Sequence, residues 1–351
     1  MGEDLSRRSL IRRGSTGVAA VGIASLAGCT GSIPFVGGDE YGGVPMGNWL
    51  ADPAFEELLD TSGGQDFEIS ESTRTDAEFE YVLPEPIFEY ADELDGYQQL
   101  QGGSAAEFRD RVGVPASDLD WQLTQSLSWE WENTRQTQYG RTTTAQQRST
   151  VTIDILGGAF EAGDVEDTLE NWAGDSLSSE GEYEGYDFYD TGNAAIGVGE
   201  EAIIRITSDQ SNIDHITALE ITIDANVDGS PRLTDDDDAN ELLSQFDQGH
   251  INRGVLTENP EERFGTGSEE AGWETGLIGR SRASSIDGES AEISVVFLYE
   301  SERNAVADEV ETYVERNRDI YDEFATLEDY SVEEDGRSVT VTGTVETQAY
   351  F

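Results

Sequence analysis

The sequence has no lysine. All 20 of its basic residues are arginine, set against 74 Asp and Glu for a formal net charge of −54. With no basic face to neutralise phosphates, the chain is not expected to bind nucleic acid. It has one cysteine, Cys29, so it forms no internal disulfide. Its two histidines, His215 and His250, are far apart in sequence. Neither has a second histidine at ligand spacing, which argues against a zinc or copper centre. Long apolar runs are missing too: a membrane-spanning helix needs about 20 strongly apolar residues, and the weakly apolar stretch 14–28 is too short and too rich in Gly, Ala and Ser. No Rossmann or P-loop glycine fingerprint is present.

What is present begins at the N-terminus. Ser6-Arg7-Arg8-Ser9-Leu10-Ile11 is followed by Arg12-Arg13, the short apolar run, and Leu26-Ala27-Gly28-Cys29. A charged segment, a short apolar segment and small residues before a break describe an export signal. The pair Arg7-Arg8 resembles a twin-arginine signal, whose translocase carries folded proteins. Leu26, Ala27, Gly28 and Cys29 resemble a lipobox. That resemblance implies cleavage before Cys29 and a lipid on its new N-terminus, anchoring the chain at the extracellular face of the cytoplasmic membrane. The six glycines and two prolines of residues 30–48 read as a flexible tether. The expected division is therefore a signal over 1–28, lipidated Cys and tether over 29–75, and α+β units over 76–232 and 233–351.

The acidity bears on solvent as well as on partners. A charge of −54 would strain a compact chain by self-repulsion. At molar salt the Debye length falls to about 3 Å and most of that penalty disappears. The composition resembles that of proteins from salt-in halophilic archaea, so acidity here reads as a solubility adaptation rather than the mark of a basic partner.

Trp121, Leu123, Leu127, Trp129 and Trp131 alternate with Gln122, Thr124, Ser126, Ser128 and Glu130. Val151, Ile153 and Ile155 repeat the pattern, and the two segments are expected to pair antiparallel. The tryptophans read as core more readily than as a sugar-stacking platform. Residues 133–153 hold no acid but carry Arg135, Arg141 and Arg148, a candidate partner-binding hairpin whose alternative is pairing with the chain's own carboxylates. The order strand, helix, strand, strand occurs over 150–206 and again over 291–347. It predicts an α+β fold of two similar β-α-β-β, ferredoxin-like units, with antiparallel sheets and helices packed on one face. Between them, residues 212–227 fit helix or strand, with helix preferred, and 254–280 read mostly as loop.

Two motifs suggest chemistry. Asp224, Asn226, Asp228 and Asp235 stand at the first, third, fifth and twelfth places of a calcium-loop pattern with Gly229 at the sixth. Pro231 and Arg232 depart from that pattern, and calcium is the one cofactor the chain suggests. Gly174-Asp175-Ser176-Leu177 and Asp247-Gln248-Gly249-His250 resemble the blocks of a serine lipase family, which would make Ser176, Asp247 and His250 a hydrolytic set. Here, however, the serine follows an amphipathic helix rather than a buried strand.

Together with Gly113-Val114-Pro115-Ala116-Ser117-Asp118-Leu119-Asp120, Gly157-Gly158-Ala159-Phe160, Tyr183-Glu184-Gly185-Tyr186 and Asp335-Gly336-Arg337, the signal makes the chain similar to haloarchaeal twin-arginine (Tat) exported lipoproteins. The resemblance implies location and fold, not chemistry. The expected function is that of a lipid-anchored, non-catalytic cell-surface protein with a binding or envelope role, its partner an envelope protein or ligand. The alternatives are an exported serine hydrolase and a transporter-linked solute-binding lipoprotein.

Overall fold

The computed structural model describes residues 46–59, 68–90, 103–136, 142–229, 231–244, 249–264, 272–318, 324 and 326–347. Alternation builds its longest hairpin. β2 (Trp121–Gln136) and β3 (Thr142–Gly157) pair antiparallel in continuous register from Trp121 opposite Gly157 to Gln136 opposite Thr142. Trp121, Leu123, Leu127, Trp129 and Trp131 are buried on one face with Val151, Ile153 and Ile155, so the tryptophans are core. Gly157 is required there: a Cβ would sit 1.9 Å from the Trp121 indole that lies over it.

The other strands are β1 (Glu68–Val82), β4 (Ser178–Tyr183), β5 (Tyr186–Asp190), β6 (Ala194–Val198), β7 (Ala202–Ser208), β8 (Ile251–Thr257), β9 (Leu277–Asp287), β10 (Ser290–Tyr299), β11 (Glu328–Asp335) and β12 (Ser338–Glu346). They join β2 and β3 in one 12-stranded sheet ordered β11-β12-β10-β9-β8-β1-β2-β3-β7-β6-β5-β4. Every neighbouring pair is antiparallel.

Helices cover both faces. On the tryptophan side lie α1 (Met46–Trp49), a 3₁₀ turn at Phe55–Leu58, α5 (His215–Val227) and α6 (Asp237–Ser244). The short α2 (Pro84–Glu89) follows β1, and α7 (Pro260–Phe264) follows β8. On the opposite face, α3 (Gly103–Val112) and α4 (Ala162–Ala173) set Phe108, Val165 and Leu169 against Leu156, Ile196 and Ile203. Further along that face, α8 (Ala307–Asn317) sets Val310 and Val314 against Val295, Phe297 and Val339. α5 starts at an N-cap, where Asp214 accepts from the Thr217 amide at 3.0 Å. The ambiguous segment is thus helical, with Leu219 and Ile223 buried.

This architecture overturns the expectation of two β-α-β-β, ferredoxin-like units with helices on one face. β1 and β8 pair from Asp76–Thr257 to Val82–Ile251, fusing the halves into one sheet. A repeated order of elements does not specify whether each copy closes on itself or lends an edge to the other. Here each half offers the edge of a three-strand meander, β1-β2-β3 and β8-β9-β10, and pairing those edges satisfies backbone groups that would otherwise need water. The expected tether over 29–75 does not include residues 46–59 either: Met46, Trp49, Leu50, Phe55 and Leu58 are buried. Among the described residues, no helix is long and apolar enough to cross a membrane.

Candidate functional site

The central strands carry a groove on the face opposite the tryptophans. Antiparallel neighbours point to the same face, so the register sets two rows across the sheet. In one, Thr124, Glu80, Arg253 and Arg282 stand side by side on β2, β1, β8 and β9. In the other, Ser126, Glu78, Val255 and Arg280 do the same. Arg263 reaches in from α7. These residues line a groove of about 370 Å³ between the α3–α4 and α8 layers.

Its electrostatics reverse those of the chain. The lining holds four arginines and two glutamates, whereas acids outnumber bases 74 to 20 overall. Arg253 donates from Nη2 to Glu80 Oε1 at 3.1 Å, and Arg263 pairs with Glu78. The Arg280 guanidinium lies 5.2 Å from the centroid of the Phe297 ring. Arg253 stands directly opposite Arg282 on β9 and beside its carboxylate partner Glu80 on β1. Gly254, between Arg253 and Val255, leaves room for Phe79 on the other face, whose ring carbon would lie 2.2 Å from a Cβ there.

The first row continues under α3 as a buried ionic cluster. Asp154 lies opposite Thr124 and Arg205. Arg205 donates to Asp154 Oδ2 from Nε at 3.0 Å and from Nη2 at 2.6 Å, and Nη2 also reaches the Ser104 carbonyl at 2.9 Å. Ser104 and Thr124 hydroxyls donate to Asp154 at 2.9 and 3.0 Å. The Arg205 guanidinium lies 4.7 Å from the Phe108 ring centroid, so Ser104 and Phe108 fix α3 to the sheet beside the groove.

The residues singled out from sequence are elsewhere. Arg7, Arg8, Leu26, Ala27, Gly28, Cys29, Arg141 and Asp247 lie outside the described residues, as does the side chain of Arg135. Arg148 donates to the buried carboxylate of Asp76 at 2.7 Å, so it serves its own domain. Ser176 is exposed in the turn after α4, just before β4, while His250 immediately precedes β8. Seven steps of the strand order separate β4 from β8, about 34 Å along the sheet at about 4.8 Å per step. The His250 Nδ1 also accepts the Ile286 amide at 3.0 Å, and burial holds its pKa below the ordinary value. The structure does not bring Ser176 and His250 together.

The calcium pattern falls on a helix end rather than a loop. Asp224 and Asn226 belong to α5, with Asp228 as its C-cap. Burial, first of all, raises the Asp224 pKa, and Asp224 accepts the Tyr183 hydroxyl at 2.8 Å. Asp235 accepts the Arg232 amide at 3.1 Å, and Arg232 Nε donates to the Ala225 carbonyl at 2.6 Å, where its cation fills the space between the two ends. Among the described residues, no group of three or more His, Cys, Asp or Glu is placed to hold a metal ion.

The sequence reading missed the groove, although a signal existed. Residues 276–286 hold no acid, and Arg280 and Arg282 are two apart, the spacing that puts both on one face of a strand. No family model matches the chain. No curated protein matches it either. Among solved structures, TP0453 in its crystal forms III and I superposes with a TM-score of 0.42 at 6% sequence identity, over 78% of this chain and 91% and 90% of those chains.

Proposed function

We propose that the chain is a non-catalytic, lipid-anchored protein of the cell surface of a halophilic archaeon, exported through the Tat translocase and held by lipid on Cys29, with a binding role. One observation carries the reading: Arg7-Arg8, a short weakly apolar run and Leu26-Ala27-Gly28-Cys29 occur in that order ahead of a chain of net charge −54. The anchor leaves the sheet domain outside the membrane, and the central groove is its candidate binding surface. Ser176 and His250, far apart along the sheet, lend no support to hydrolysis. A two-lobed solute binder opening on a cleft gains none from a sheet that runs unbroken through β1 and β8.

The test is expression of the full chain and of Cys29→Ser in a halophilic archaeon, followed by fractionation at molar salt. The wild-type chain is expected in the membrane fraction, shortened by its first 28 residues, and the variant in the medium. A Cys29→Ser form retained as firmly as the wild type would overturn the proposal.

A further inference from the structure

We infer that the outer edge of β3 pairs antiparallel with the same edge of a second copy of this chain, about a two-fold axis beside Ala145, to form a dimer joined by main-chain hydrogen bonds.

The edge exists because β3 outruns one of its neighbours. β2 follows it as far as Thr142, whereas β7 pairs with it only from Val151, opposite Ser208, to Gly157. Among the described residues, no strand borders that side of β3 over residues 142–149. Asp209 closes the ladder at the inner end: its amide donates to the Thr150 carbonyl at 3.2 Å, and its carboxylate accepts the Thr150 amide at 2.8 Å. Those two bonds fix the phase. Thr150 turns its N–H and C=O away from β2, so the alternation of an antiparallel ladder turns those of Gln146 and Arg148 the same way, while Ala145 and Gln147 bond to β2. Ala145, Gln146, Gln147 and Arg148 are all exposed.

The two terminal edges of the sheet are built differently. β4 carries Glu180 and Glu182 and a bulge between Ser179 and Gly181. β11 carries Glu328, Asp329, Glu333, Glu334 and Asp335, with its register broken between Glu328 and Ser331. Charges and bulges are the usual means of keeping a foreign strand off an edge. Residues 142–149 hold no acid, proline or glycine, in a chain with 74 acids, and they pair with β2 without a bulge. A regular, uncharged strand edge recruits another strand.

The segment is its own complement. With Ala145 beside its counterpart, Gln146 and Gln147 each fall opposite a threonine, and Arg148 falls opposite Thr142, so no arginine meets an arginine. The smallest side chain then sits at a non-hydrogen-bonded pair, where Cα atoms approach to about 4.5 Å. What is missing beside β3 is a strand of the length that β3 itself offers, about 24 Å over residues 142–148. At molar salt the field of each chain decays within about 3 Å, so the shared negative charge does not keep two copies apart, and contact decides.

The test uses the full chain carrying Cys29→Ser, which leaves no native thiol, in molar NaCl. One strand seam belongs with the small, transient interfaces, so sedimentation equilibrium is run up to about 1 mM. A monomer–dimer equilibrium is expected. Gln146→Pro removes an outward N–H and spares the β2 ladder, and is expected to raise the dimer dissociation constant by about tenfold or more. Oxidation of Ala145→Cys in the same background is expected to give a covalent dimer, because Cα atoms about 4.5 Å apart are within disulfide reach. Gln147→Cys is expected to give none, since its counterpart stands about 14 Å away along the strand. If Gln146→Pro does not fold, the two cysteine variants decide. A chain that is monomeric throughout, a dimer indifferent to Gln146→Pro, or equal cross-linking through positions 145 and 147 would overturn the inference. None of these results alters where Cys29→Ser is found on fractionation, so the two proposals fail separately.

Discussion

Arg205 and Asp154 lie directly opposite each other on β7 and β3 and form an ion pair with side-chain exposures of 7% and 0%. Such a pair stabilises a fold only with further hydrogen bonds to its lone pairs and protons, and Ser104 and Thr124 supply several of them here. Asp154→Asn removes the charge and leaves Arg205 buried. The expected loss is about 3–5 kcal/mol, the usual cost of breaking a buried pair from one side. Asp154→Leu combined with Arg205→Met is expected to recover much of it, since the cation is removed as well. Denaturant midpoints in molar salt check both, and a loss below about 1 kcal/mol for Asp154→Asn would show that the pair does not hold α3.

Gly254 and Phe79 make a second test of the groove's construction. They are neighbours across β8 and β1, and the Phe79 ring occupies the space a Cβ at 254 would need. Gly254→Ala forces that ring off its position and is expected to cost about 1–3 kcal/mol as an overpacked core site. Phe79→Leu opens a gap and costs stability for the opposite reason. Combined, the two changes compensate, with a coupling of about 0.5–3 kcal/mol, as expected for residues in contact. Additive losses in the four-variant cycle would rule out the steric account of Gly254.

These two pairs also explain what the sequence disclosed and what it concealed. β2 and β3 were legible because, over Trp121–Trp131 and Val151–Ile155, the tryptophan face is apolar except at Gln125 while the other carries mostly Thr, Ser and Gln, which yields a readable alternation. β8 was not. Its Ile251-Asn252-Arg253-Gly254-Val255 sets Gly254 on the core side to make way for Phe79 and Arg253 on the groove side. A strand whose core position is a glycine and whose outer position is charged has no apolar period to read, so it passed for loop. That one strand joins the halves, and without it the repeated order of elements looked like two separate units. The groove went unread for the same reason, because its cations come together only through the pairing of β1, β8 and β9. The buried Asp154 was equally opaque: in a chain with 74 acids, nothing local distinguishes the carboxylate that meets an arginine four strands later in the sequence.

Stability is expected to fall as the pH drops below the ordinary histidine value. Burial, the largest cause in each case, lowers the pKa of both His215 and His250. Asp190 and Asp214 oppose that shift at His215, and Glu89 opposes it at His250. Each ring is also hydrogen-bonded: His215 Nε2 lies 2.8 Å from the Ser208 hydroxyl, and His250 Nδ1 accepts the Ile286 amide at 3.0 Å. Protonating His250 at Nδ1 would set two donors face to face. Below about pH 6.5, then, the unfolded chain binds protons that the folded chain resists. The contribution is fully present above that value, is lost as the pH falls through the folded pKa values, and levels off beneath them. The partly buried carboxyls of Asp224 and Glu274 have pKa values raised by desolvation; their effect has the opposite sign and sets in nearer the carboxylate range. Denaturant midpoints at pH 7.5, 6.5 and 5.5 in molar salt are therefore expected to decline in the wild type. In His215→Gln/His250→Asn, which keeps an amide oxygen in place of each ring nitrogen, they are expected to stay level. A decline of equal slope in that variant would assign the acid sensitivity to carboxylates instead.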